Sequence, residues 1–269
     1  VLMTHNQSNA IKAAAQLKDK AKTAGSADIA IHALIVAAGK GSRFGSDLPK
    51  QYTQLGTQTL LQHSVARLAS CSDIHECLIV IAADDKQAQQ LDYAIPVNFA
   101  IGGAERWQSV QAGVQSLLDA GGGADDLVVI HDAARPAVPR KDIDAVIKAA
   151  STEPYGAILA CPVTDTLKAQ QPKVNDQNSG AYIANTVSRE GLWQAQTPQV
   201  FRLAALREVL AYVAAHNLAI TDEASAFEAL SLPVKLVAGS RENLKLTYPE
   251  DHNLLLAILA MDSHEIIER

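Results

Sequence analysis

Strand-length apolar runs recur along this chain between stretches of helical spacing, and that alternation limits the fold more than any other feature. The first run, Ile31-His32-Ala33-Leu34-Ile35-Val36, is nearly continuous in apolar character, as expected of a strand covered on both faces. A Gly-rich turn follows at once, Ala37-Ala38-Gly39-Lys40-Gly41-Ser42-Arg43. Residues 59–68 then carry apolar groups at helical spacing. Strands are expected at 77–82, 97–101, 127–130 and 156–161, with helices after Asp84, at 105–118 and at 141–150. Strands alternating with helices of this length predict an α/β domain, a mostly parallel twisted sheet with helices on both faces. In such sheets ligands bind beyond the carboxyl ends of the strands.

The pattern breaks between Pro162 and Gly191. There the chain turns polar, and 164–168 and 182–187 read as two strands around a Pro/Asn/Gly/Ser-rich turn, a β-arm of about 162–191. A two-stranded ribbon is marginal alone, so a second subunit is the expected support. Regular α/β character returns at 203–215, 222–230, 234–237 and 251–260. The expected organisation is an N-terminal extension (1–28), flexible or a short helix, one domain (29–262) and a C-terminal tail (263–269). Val1-Leu2-Met3 reads as a remnant ahead of a start at Met3, and residues 10–22 are Ala- and Lys-rich without the apolar stretch of a secretory signal. A disordered or loosely docked arm is favoured there over an organelle transit peptide.

Charge and apolar content narrow the partners. A net charge of −6 argues against a nucleic-acid binder, so an anionic substrate must meet a local cluster of cations. No apolar run approaches the ~20 residues that span a bilayer, and a membrane partner is not expected. Cys71, Cys77 and Cys161 form no C-x-x-C pair and read as reduced thiols of a cytoplasmic protein.

A Gly-rich turn at a strand end lets backbone N–H groups approach phosphates. Here it carries Lys40 and Arg43, with Pro49-Lys50-Gln51 shortly after, which favours phosphate binding over a plain tight turn. Two common phosphate motifs fail. Walker A needs glycine where Leu34 stands, and the dinucleotide fingerprint needs glycine at position 44, which is Phe44.

Five segments, in order, resemble one family. They are Ala37-Ala38-Gly39-x-Gly41-x-Arg43 with Pro49-Lys50-Gln51-Tyr52; Gly102-Gly103-Ala104-Glu105-Arg106 with Ser109-Val110; Val129-Ile130-His131-Asp132-Ala133-Ala134-Arg135-Pro136; Ala195-Gln196-Thr197-Pro198-Gln199; and Thr221-Asp222-Glu223-Ala224-Ser225. Over about 31–259 the chain is similar to the 2-C-methyl-D-erythritol 4-phosphate cytidylyltransferases of the non-mevalonate isoprenoid pathway. The resemblance implies a Rossmann-like nucleotidyltransferase fold and transfer of CMP from CTP to the methylerythritol phosphate. It also implies a Mg²⁺ ion on Asp132, a homodimer joined through the β-arm, and a bacterial cytoplasmic location ahead of a plastid one.

Residue by residue, the resemblance makes Arg43, Lys50, Asp132 and Lys245 catalytic, the cations neutralising the triphosphate. Ala37, Ala38, Gly39, Gly41, Gly103 and Ser109 would bind the nucleotide, where small residues let the main chain reach the base. Arg135, Thr166, Arg189, Thr197 and Thr221 would hold the acceptor, with Thr166 and Arg189 crossing to the partner's site. Lys40 stands at a variable position of the motif. Ala104 replaces an acidic residue of some relatives, which leaves base selection open there. Blander readings stand beside these: helix capping for Asp132, a solvated basic face for Arg43 and Lys50, a helix-surface serine for Ser109, a surface ribbon for Thr166 and Arg189.

The chemistry suits such a set. An acceptor phosphate is already an anion and needs no general base; it needs in-line alignment and charge neutralisation. No Ser-His-Asp or Cys-His set is evident, and strand alternation turns His131 away from Asp132. Three alternatives remain open at this level: a ribitol 5-phosphate cytidylyltransferase, a nicotinamide oxidoreductase and a non-catalytic nucleotide-binding regulator.

Overall fold

Side chains of β1 (Ile31–Val36) alternate between two apolar environments: Ala33 and Ile35 pack into one core, Leu34 into another. Both faces of the sheet are therefore buried, which is why the run, His32 apart, is apolar at successive positions rather than at every second one. The computed structural model describes residues 11–15, 17, 29–39, 49–172 and 180–267, without the side chains of 262–267. After β1 come β2 (Gln54–Leu55), β3 (Gln58–Thr59), β4 (Cys77–Ile81), β5 (Val97–Ile101), β6 (Leu127–Asp132) and β7 (Gly156–Pro162). The remaining strands are β8 (Leu167–Gln170), β9 (Ile183–Val187), β10 (Trp193–Arg202) and β11 (Lys235–Ala238). Helices α1 (Leu60–Ala69), α2 (Arg106–Asp119), α3 (Arg140–Thr152), α4 (Leu203–His216), α5 (Glu223–Glu228) and α6 (Asp251–Ile267) complete the order.

The main sheet has seven strands in the order β11-β7-β10-β6-β1-β4-β5. β1 is parallel to β4 and β6, β4 to β5, and β11 to β7, whereas β10 runs antiparallel to both its neighbours. One core lies between the sheet and α1 and α3, with Leu61, Val65 and Leu68 facing Ile143, Val146 and Ile147. The other holds Val110 and Val114 of α2 and Leu206, Val209, Leu210 and Val213 of α4. Burying each such aliphatic side chain contributes about 1.5–3 kcal/mol relative to exposure. Phe201 stacks on Phe227 with ring centroids 4.8 Å apart, and the buried Tyr155 tilts against Phe227 at 6.0 Å. Residues 11–15 and 17 are helical, and Ala14 and Leu17 are buried in the core beside α2 and α4.

Several expectations are corrected. The helix expected after Asp84 is a single 3-10 turn, Ala88–Gln90, because the Asp85 carboxylate accepts the Gln87 and Ala88 N–H groups and closes that turn locally. The first arm strand begins at Leu167, leaving Thr164 and Thr166 outside it. The segment expected to be a polar tail from 263 is helical as far as Ile267. Strand β10 had no counterpart in the sequence reading. Its polar centre, Gln196, Thr197 and Gln199, is buried, and its ladder with β7 is interrupted between Ala195 and Gln199, where Pro198 offers no N–H. The Thr197–Pro198 peptide is cis.

Candidate active site

The carboxyl ends of β1, β5 and β6 surround a cleft of about 230 Å³. Its floor begins where β1 runs out. The Ala37 N–H donates to Val80 O at 2.8 Å, and Ala37 O accepts from the buried Gln51 Nε2 at 2.7 Å, which ties the turn to the segment after it. Across the cleft, the Gly102 N–H donates to Ile81 O at 2.8 Å. The chain then enters α2, whose first residues also line the cleft. The Glu105 N–H donates to Gln108 Oε1 at 3.0 Å, closing the helix start. Ser109 is 1 % exposed and donates to Glu105 O at 3.3 Å, so it is a buried first-turn serine and not a helix-surface one.

Asp132 is the last residue of β6, opposite Val36 of β1, and its carboxylate faces the cleft. Arg106 Nε and Nη2 donate to its Oδ1 at 3.1 and 2.9 Å, and Lys245 Nζ reaches Oδ2 at 2.6 Å. Burial alone would raise the Asp132 carboxyl, yet the Arg106 and Lys245 charges outweigh it and hold the group well below the usual carboxylate range. The opposite edge of Arg106 pairs through Nη1 with Glu223, which is fully buried. Burial pushes the Glu223 carboxyl up, and Arg106 opposes that shift. Lys50 Nζ donates to Leu246 O at 2.5 Å, joining the segment after the Gly-rich turn to the one that carries Lys245.

A second network fixes the backbone of Asp132. Its N–H donates to Thr197 Oγ1 at 3.1 Å, and the same hydroxyl lies 3.0 Å from His131 Nδ1. His131 Nε2 is 2.9 Å from Arg135 O, a carbonyl acceptor, so Nε2 carries the ring hydrogen and the Thr197 hydroxyl donates to Nδ1. Burial pushes the His131 imidazole down to about 4, keeping it neutral. It points away from the cleft, as strand alternation requires.

The cleft is lined by Ala37, Ala38, Gly39, Lys50, Gly103, Ser109, Asp132 and Lys245 of the residues singled out from sequence, together with Ala104, whose methyl offers no hydrogen bond to a base. Gly41, Arg43 and Lys40 lie outside the described residues. Thr197 and Arg135 sit beneath the cleft and do not line it. Arg135 donates through Nη1 to Asn243 O at 2.6 Å and so anchors the segment bearing Lys245. Thr221 is exposed beside α5, its N–H 3.1 Å from Ser225 Oγ. Thr166 and Arg189 are exposed on the arm, away from the cleft lining. Sequence reasoning assigned no role to Arg106, Glu223 or Gln51, although all three fall inside the motif segments. Arg106 and Glu223 meet across 117 residues of chain, a separation no local pattern encodes.

Among the described residues, no group of three or more His, Cys, Asp or Glu side chains is placed to hold a metal. Mg²⁺ is nevertheless commonly held by one or two carboxylates when substrate phosphates and water supply its other ligands, and Asp132 lines this cleft, as does Glu105. Asp132 fits that role. Among the described residues no helix is long and apolar enough to cross a membrane.

Comparison with known proteins gives a consistent result. The family model described as 2-C-methyl-D-erythritol 4-phosphate cytidylyltransferase matches residues 31–261. A Psychrobacter arcticus protein of that name is 59% identical over 264 residues, covering 88% of this chain and 94% of that protein. A Paraburkholderia phytofirmans protein of the same name is 43% identical, covering 86% of this chain and 96% of that one. The crystal structure of the Thermus thermophilus protein of that name superposes with a TM-score of 0.68 at 34% identity, over 86% of this chain and 98% of the other. With the match running from the first residue of β1 into α6 and taking in every segment that builds the cleft, the chain belongs to the 2-C-methyl-D-erythritol 4-phosphate cytidylyltransferase family.

Proposed function

We propose that this protein transfers CMP from CTP to 2-C-methyl-D-erythritol 4-phosphate, giving 4-diphosphocytidyl-2-C-methyl-D-erythritol and pyrophosphate. The observation that carries the reading is Asp132 held between Arg106 and Lys245 at the strand ends, facing a cleft lined by Ala37, Ala38, Gly39 and Lys50. A phosphate oxygen of the acceptor attacks the α-phosphorus of CTP, and the bond to the bridging α–β oxygen breaks, releasing pyrophosphate. Lys50 and Lys245 neutralise charge on the phosphates, with Arg43 joining them from the Gly-rich turn. Backbone groups at Ala37, Ala38 and Gly103, with Ser109 behind them, take the cytosine. Mg²⁺ on Asp132, when bound, supplies charge neutralisation for the triphosphate. The acceptor phosphate is an anion before it binds, so no side chain has to remove a proton.

In this reading Thr166 and Arg189 act in the partner subunit of a homodimer, together with Thr221 of the body, while Thr197 and Arg135 act from beneath the cleft by fixing Asp132 and the segment carrying Lys245. Support for the dimer comes from the arm itself: Tyr182 and Ile183 are 65% and 60% exposed on an isolated two-stranded ribbon, an apolar surface that calls for a partner. The relatives come from bacteria, which favours a bacterial cytoplasmic location.

The test is pyrophosphate release with Mg²⁺, comparing 2-C-methyl-D-erythritol 4-phosphate with ribitol 5-phosphate and CTP with the other nucleotides. Turnover only with CTP and the first acceptor is expected. Turnover with ribitol 5-phosphate instead would move the acceptor assignment, and none with folded, CTP-binding protein would point to a regulator. Asp132→Ala should abolish turnover; near-normal activity would sink the proposed site.

A further inference from the structure

Glu223 is fully buried at the start of α5 and does not line the cleft. It is not needed as the cap of that helix, because Asp222 Oδ1 already accepts the Ser225 N–H at 3.0 Å. Its Oε1 accepts from Arg106 Nη1, while its Oε2 is buried with no partner among the described residues. A carboxylate kept in so unfavourable a place must serve the cation it touches. That cation is shared: Arg106 gives Nε and Nη2 to Asp132 and Nη1 to Glu223. With Glu223 present, Arg106 stays paired whatever Asp132 does. With Glu223 neutral, Asp132 is the one carboxylate among the described residues still bonded to this guanidinium, which lines the cleft, so a cation taking Asp132 competes directly with Arg106 for it.

We infer that Glu223 is a positioning residue that sets the divalent-cation affinity of the cleft, by holding Arg106 so that Asp132 is free to turn its carboxylate to the metal. The inference rests on the reading of Asp132 as the metal ligand. Outer partners of metal ligands typically change affinity 10–100-fold when removed, and here the sign follows from competition between Arg106 and the metal for one carboxylate.

The test titrates Mn²⁺ into protein with saturating CTP and no acceptor, following by water-proton relaxation enhancement the Mn²⁺ held in the protein complex as distinct from Mn²⁺ on free CTP. Glu223→Gln keeps shape and one acceptor oxygen but removes the charge. It should weaken Mn²⁺ binding about 10–100-fold and raise the Mg²⁺ needed for half-maximal pyrophosphate release in parallel, with KM for the acceptor unchanged. The double variant Arg106→Met, Glu223→Gln removes the competing cation as well and should restore Mn²⁺ binding. A purely structural role would lower thermal stability without this reversal. Unchanged Mn²⁺ affinity in Glu223→Gln overturns the inference, as does a loss that the double variant fails to relieve. Should Glu223→Gln not fold, the double variant decides alone: binding at least as tight as wild type supports the inference, and a tenfold loss (on the order of a weak outer-partner effect) overturns it. An inactive wild type would remove the functional assignment while leaving the Mn²⁺ comparison intact, so the two failures are distinguishable.

Discussion

Gly102 lies just behind the wall of the cleft, and replacing it with alanine probes that wall without touching the charged groups. A Cβ at this position would stand 2.6 Å from Ser109 Oγ and 2.7 Å from Ala38 Cβ, where ordinary contacts are 3.4–4 Å. Ala38 and Ser109 both line the cleft, one on the β1 turn and the other in α2. Restoring contact with Ala38 requires the two segments to part by about 0.7 Å. Overpacking of this kind costs about 1–3 kcal/mol. If roughly 1–2 kcal/mol of it appears as lost cytosine binding, KM for CTP rises about 5–30-fold. The turnover number should stay within about threefold, because Asp132, Lys245 and Lys50 are untouched, an expectation of uniform binding loss. Pyrophosphate release at saturating acceptor with varied CTP, alongside a thermal melt, reads both quantities. A variant with normal KM for CTP and raised KM for the acceptor would show that the 38–102–109 wall does not hold the base. One with normal kinetics and normal melting would refute the packing argument itself.

Gly156 opens β7 at φ +153°, and a Cβ there would fall 2.1 Å from Val200 O, a backbone atom of β10. Gly156→Ala should therefore cost about 3 kcal/mol or more in urea unfolding, and a loss under about 1 kcal/mol would show that the strand pair adjusts freely. His131 titrates near 6.5 when unfolded and at about 4 when folded. Because the unfolded chain takes up the proton first, this group's stabilisation is complete above pH 6.5 and is lost as the pH falls toward 4, by about 3 kcal/mol in all. Urea midpoints across that range should decline in wild type and flatten in His131→Gln; parallel declines would contradict the assignment. Arg189→Ala and Lys50→Ala should each be inactive alone. Co-assembled at random, they should regain about one quarter of wild-type activity, since half the dimers then hold one intact site of two; no recovery would argue against a site shared between subunits.

Much of this architecture was legible from one strand and the turn after it. An apolar run with no polar face admits few homes other than a sheet covered on both sides, and β1 fills that home with Ala33 and Ile35 in one core and Leu34 in the other. The ends of β1 and β6 are legible for the same reason, which places the start of the Gly-rich turn and Asp132 at one end of the sheet. Strand β10 was not legible. Its centre is polar and interrupted by Pro198, and those side chains tolerate burial only through partners supplied by distant segments. Gln199, for example, meets Asp222 and the Ala224 N–H. The occupation of Thr197 by Asp132 and His131, and of Arg135 by the segment carrying Lys245, escaped for the same reason. Periodicity and turn chemistry are local and determine which segments become strands, helices and phosphate-sized turns. Whether a buried polar group faces a ligand or another part of the protein depends on which remote group satisfies it, and only the tertiary structure decides that.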